Sequence, residues 1–138
     1  MTRIALKAVR TTLALAAFPL TLFLVPAAAQ APGLAMLDSL QSGEWELRFR
    51  DSATSRRICV RDGRELIQIR HNDSGCSRYV VEDGSSEVTV QYTCRGNGYG
   101  RTNIRRETAR LVQIESQGIV DGLPFQFTAE GRRIGPCK

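Results

Sequence analysis

The chain has 138 residues, with 19 basic and 14 acidic side chains and a formal charge of +5. Three of the basic residues, Arg3, Lys7 and Arg10, fall in the first ten positions. Without them 16 basic and 14 acidic residues remain, too close to neutrality to mark a nucleic-acid or anionic-membrane binder.

Residues 1–29 read as a secretory signal peptide. The basic start is followed by an apolar stretch over residues 13–25 and by Ala27, Ala28 and Ala29. That order, with an A-x-A site, predicts cleavage after Ala29. The apolar stretch is short for a membrane span of about 20 residues. No cysteine stands at the +1 position, which is Gln30, so neither a lipid anchor nor a stable membrane anchor is expected after processing. Residues 30–138 make one domain of a size that gains from covalent help. Residues 30–41, small and Ala-rich, read as an N-terminal tether or a loosely attached helical start, and residues 42–138 as the folded domain.

Residues 43–50, GEWELRFR, alternate Trp45, Leu47 and Phe49 with charged residues. Period two puts the three apolar side chains on one face of a strand. Residues 55–61 form a second, weaker strand. Asp62 stands three residues before Glu65, a capping-box spacing that predicts a short helix over residues 63–70. The turn-forming run His71-Asn72-Asp73-Ser74-Gly75 ends it and places His71 in an exposed loop.

Residues 76–94 hold two β-rich runs around Asp83-Gly84-Ser85-Ser86, a hairpin signal. With Ser85 at the tip, Val80 faces Val90, Arg78 faces Tyr92, and Cys76 faces Cys94. A non-hydrogen-bonded antiparallel pair brings Cα atoms to about 4.5 Å, within disulfide range. Residues 95–100, RGNGYG, read as a flexible loop, and residues 101–108 as a polar, exposed or edge strand carrying Ile104. Residues 111–116 alternate as a strand, Asp121-Gly122 is a second hairpin turn, and residues 124–134 place Phe125 and Phe127 on one face. The fold class is mainly β: an antiparallel meander of six to seven strands, barrel-like or sandwich, with one short helix.

Four cysteines allow three pairings. The hairpin register favours Cys76–Cys94, which leaves Cys59–Cys137. The first closes 19 residues and should contribute about 3 kcal/mol in the chain-entropy model. The second closes 79 and should contribute about 4–5 kcal/mol. Cysteine spacings of 17, 18 and 43 do not suit structural zinc, which prefers close ligand pairs. No metal or other cofactor is expected.

Catalytic motifs are equally sparse. His71 is the one histidine, and its neighbours Asp73 and Ser74 are too close in sequence for triad geometry. Glu44 and Glu46 fit a solvated strand face. Arg105-Arg106 and Arg132-Arg133 are adjacent pairs whose side chains diverge to opposite faces of a strand. The run Gly96-Asn97-Gly98-Tyr99-Gly100 does not match a phosphate loop.

The Gly43-Glu44-Trp45-Glu46 opening, the spaced cysteines and the ending Gly131-Arg132-Arg133-Ile134-Gly135-Pro136-Cys137 resemble domain-of-unknown-function family 3617. This is a family of small exported proteobacterial proteins, and the resemblance spans residues 42–137. Family members often carry a Met/Pro-rich segment after the W-E strand; here Asp51-Ser52-Ala53-Thr54 is brief and polar. The resemblance implies export and fold but no catalytic residue.

The functional expectation is a periplasmic or secreted binding or inhibitory module without catalytic or cofactor-binding residues. Its partner would be an envelope protein rather than nucleic acid. The alternative is a lipocalin-like carrier of a small apolar ligand.

Overall fold

The computed structural model describes residues 33–71 and 74–138. The signal peptide expected at residues 1–29 lies outside them. The protein is mainly β: seven antiparallel strands in one sheet, with one short helix. The strands are β1 (Gly43–Phe49), β2 (Ser55–Val60), β3 (Ser77–Asp83), β4 (Glu87–Cys94), β5 (Gly98–Thr108), β6 (Leu111–Val120) and β7 (Leu123–Gly135).

Strand order is β2-β1-β7-β6-β5-β4-β3. Strands β3 to β7 are a meander of neighbours, and the β1–β2 hairpin docks on β7 through β1. The sheet does not close into a barrel, because its two edges, β2 and β3, do not pair. Consecutive in sequence, they lie at opposite ends of the sheet, and the described residues between them, 61–71 and 74–76, run over one face.

That face is the core. Trp45 and Leu47 of β1 are fully buried, as alternation requires. Register aligns the inward positions in rows such as Phe49–Ala129–Ile114–Ile104–Val88. The next row is Phe127–Ser116–Thr102–Val90–Val80. Beyond it lies Phe125–Gly118–Gly100–Tyr92–Arg78. The paired glycines at its centre make room for the rings beside them: a Cβ on Gly100 would run into the Tyr92 ring, and one on Gly118 would sit 3.0 Å from that of Phe125.

Two segments cover the core face. The first holds helix α1 (Ala35–Asp38), and it buries Leu34, Met36, Leu37 and Leu40. At about 1.5–3 kcal/mol for each large apolar side chain removed from water, these residues belong to the core, and a tether does not describe residues 33–41. The second is the connector, which buries Leu66, Ile67, Ile69 and His71.

Three local expectations need correction. The helix predicted over residues 63–70 is a single 3-10 turn, Arg64–Leu66. The connector's carbonyls serve the sheet instead: Thr102 Oγ1 donates to Ile67 O at 2.6 Å, and Arg56 Nη1 to Ile69 O at 3.1 Å. Asp62 Oδ1 accepts from the Arg64 N–H and Glu65 Oε1 from the Arg61 N–H, both at 3.0 Å, so the expected box is displaced by one residue. Residues 95–100 are not a flexible loop, since β5 starts at Gly98 after a tight turn closed by Asn97 N–H to Cys94 O at 3.0 Å. Nor is β5 an edge: it lies between β4 and β6, and Gly100, Thr102 and Ile104 are its buried, inward residues.

Candidate functional site

The hairpin register fixes one side of the site. Ser77↔Thr93, Arg78↔Tyr92 and Val80↔Val90 pair in the frame that places Cys76 opposite Cys94; a bulge at Val81 then shifts Glu82 onto Thr89. Cys76 and Cys94 are bonded with Cα atoms 4.3 Å apart, and Cys59 and Cys137 with Cα atoms 5.5 Å apart. One bridge therefore holds the chain entering edge strand β3, and the other holds edge strand β2.

Between those edges lies an open depression of about 500 Å³, floored by the connector. Its polar lining includes Arg56, Arg64, Glu65, Gln68, His71 and Arg78. Arg56 has the parity of Ile58 and Val60 and pairs with buried Leu47, so it occupies a core-face position at one edge. Arg78 pairs with buried Tyr92 and occupies the equivalent position at the other. Inward-facing charges on edge strands block further strand pairing. Here they also grip the connector at adjacent residues: Arg78 Nη2 donates to Gln68 Oε1 at 3.0 Å, next to the Arg56 bond to Ile69 O.

Arg64 has a different task. Nη1 meets Asp38 Oδ1 at 2.5 Å and Nη2 donates to Gly33 O at 2.7 Å, which ties the connector to the α1 segment. The hydrogen bond from Arg64 holds the Asp38 carboxyl below its ordinary range. The same bond raises the Arg64 guanidinium.

His71, expected in an exposed loop, is 2% exposed. Nε2 lies 3.2 Å from Asn97 O, and Nδ1 lies 3.0 Å from Tyr92 Oη. A carbonyl only accepts, so Nε2 carries a proton, and in the Nε2–H tautomer Nδ1 accepts from the Tyr92 hydroxyl. The single histidine thus pins the connector to β4. Burial pushes the Tyr92 phenol up to about 12, opposed by a hydrogen bond with Ser116.

The other sequence candidates do not gather. Glu46 pairs with Arg48 at 2.7 Å on the solvent face. Arg105 pairs with Glu107 and Arg132 with Glu130, each at 3.3 Å, while Arg106 and Arg133 donate to Ser85 O and Ser42 O. The site's own residues, Arg56, Arg64, Gln68 and Arg78, were not singled out by motif. A signal for two of them was present: strand parity aligns Arg56 with Ile58, and the hairpin register sets Arg78 opposite Tyr92.

No family model, curated protein or solved structure matches the chain.

Proposed function

We propose that the chain is an exported binding module that works in the periplasm without catalysis and engages an envelope partner through the depression between β2 and β3. The observation that carries this reading is the convergence of Arg56 and Arg78 from opposite sheet edges on one recess. Two disulfides support an oxidising, extracytoplasmic setting, and the signal-like residues 1–29 and the resemblance to family 3617 belong to the same reading. Bridged cysteines are withdrawn from nucleophilic and metal chemistry, and His71 has both ring nitrogens engaged. The carrier alternative draws less support, because Leu37, Leu66 and Ile67 stand on the face where an apolar ligand would sit.

The test is retention of envelope components by the immobilised exported chain with both disulfides formed. A component retained by the natural chain and lost with Arg56→Glu/Arg78→Glu supports the reading. Equal retention by both, or none by either across low and moderate salt, overturns it.

A further inference from the structure

We propose that the recess between β2 and β3 holds the phosphate of a phosphomonoester; this names the ligand of the binding module above and rests on that reading. Charge is the first argument. Residues 55–78 contain six arginines and three acidic residues, whereas the rest of residues 30–138 contains ten basic and eleven acidic. The surplus positive charge of the exported chain is therefore concentrated in the segment that builds the recess.

Pairing is the second argument. The described ion pairs join neither Arg56 nor Arg78 to a carboxylate. Each meets one neutral acceptor, Ile69 O or Gln68 Oε1. A guanidinium has five N–H donors in a planar fork, so each keeps donors for a ligand. Of the two acidic lining residues, Asp62 accepts from the Arg64 N–H and lies beside the Arg64 guanidinium, while Glu65 Oε1 accepts from the Arg61 N–H and Glu65 Oε2 is buried with no hydrogen-bond partner among the described residues.

Geometry selects the class of anion. Two forks approach from opposite edges and end on adjacent connector residues. One carboxylate satisfies a single fork, whereas a phosphate dianion has three terminal oxygens and can take hydrogen bonds from both. The recess, at about 500 Å³, has room for more than a bare phosphate, and Ile58 and Ile69 give part of its wall an apolar surface for the ester substituent. The same headgroup chemistry could come from a soluble phosphoester or from a membrane lipid.

The test uses the exported chain with both disulfides, at low ionic strength. Inorganic phosphate is titrated by calorimetry, and sedimentation is followed with phosphatidylcholine vesicles lacking or containing phosphatidic acid. Arg57 supplies the control: it neighbours Arg56 on β2 but has the opposite parity, paired with Glu46. Phosphate should bind one to one, with Arg56→Ala and Arg78→Ala each about tenfold weaker and Arg57→Ala within about twofold. Arg56→Lys and Arg78→Lys keep the charge and lose the fork, so they should fall between. Sedimentation that needs phosphatidic acid and both arginines assigns the lipid; phosphate binding without sedimentation assigns a soluble phosphoester. No saturable binding below about 10 mM phosphate together with no sedimentation overturns the proposal. Equal weakening by all three alanine variants also overturns it, since that is a diffuse field rather than a site. If an envelope component is retained through Arg56 and Arg78 and phosphate does not displace it, the ligand class fails while the binding-module reading stands.

Discussion

His71 joins the connector to the sheet by accepting a hydrogen bond from Tyr92, with Nδ1 and Oη 3.0 Å apart and both residues at most 2% exposed. The two rings also meet edge to face, with centroids 5.2 Å apart. His71→Ala removes this bond and the one to Asn97 O, and it leaves the Tyr92 hydroxyl buried beside a cavity. The two lost hydrogen bonds and the lost packing together cost about 2–4 kcal/mol. Urea unfolding followed by the fluorescence of Trp45, the chain's one tryptophan, should show the midpoint falling. An unchanged midpoint would mean that His71 is not a structural tie.

Tyr92 makes stability depend on alkaline pH. Its phenol is raised by burial to about 12 from an ordinary 10.0. The folded state keeps the proton where the unfolded chain has lost it, so this contribution is full below pH 10 and declines as pH rises from 10 towards 12. Tyr92→Phe should be less stable at neutral pH, having lost the bond to His71, and should show a shallower alkaline decline. Unfolding midpoints measured at intervals between pH 8.5 and pH 11.5 test the slope.

The same residue marks where the fold is legible in sequence and where it is not. Strict alternation around Trp45 and the paired positions from Cys76 to Cys94 are local patterns, and a strand and a hairpin follow from them directly. Burial of His71 is not local. It depends on the connector crossing the sheet, which follows from β2 and β3 being opposite edges. For the same reason α1 resembles a tether in sequence, because its four apolar residues have no partner until the sheet exists. Strand β5 looks exposed because two of its inward positions are Gly100 and Thr102, with Ile104 the one large apolar residue among its buried positions. Those small residues are inward because Tyr92 and the carbonyl of Ile67 need the space and the hydroxyl. The Arg56–Arg78 recess, finally, is a property of two edges, and no single stretch of sequence contains it.

Docking of the α1 segment should weaken in acid. Asp38 is held below its ordinary value of 3.8 by the hydrogen bond from Arg64. A depressed carboxylate contributes stability above its unfolded value and loses it as pH falls through the folded one. Amide exchange across residues 34–40 should accelerate as pH falls below 3.8, after correction for intrinsic rates. Asp38→Asn should exchange faster at neutral pH and lack the acid step.

The two disulfides should differ in their effect. In the chain-entropy model, replacing Cys76 and Cys94 by serine costs about 3 kcal/mol and replacing Cys59 and Cys137 about 4–5 kcal/mol. The first pair sits inside a hairpin whose register is also fixed by side-chain alternation. The second alone ties Cys137, the penultimate residue, to β2. Loss of the first should lower the unfolding midpoint with strand pairing kept. Loss of the second should also release protection at the end of β7 and in β2, where hydrogen exchange would register it.

Gly118 offers the sharpest test of the sheet's interior. It faces Gly100 across the β5–β6 ladder and Phe125 across the β6–β7 ladder. A Cβ there would collide with the carbonyl oxygen of Tyr99, lie 2.7 Å from the Gly100 Cα and lie 3.0 Å from the Phe125 ring. Two of the three obstacles are backbone, which cannot rotate away, so Gly118→Ala must spread the ladder. Overpacking of this kind costs about 1–3 kcal/mol. Gly135, near the end of β7, has nothing within 4 Å of the equivalent position. Gly135→Ala should therefore stay within about 0.5 kcal/mol of the natural chain. If urea titrations place both variants together, the close approach of β5 and β6 at the glycine pair is wrong.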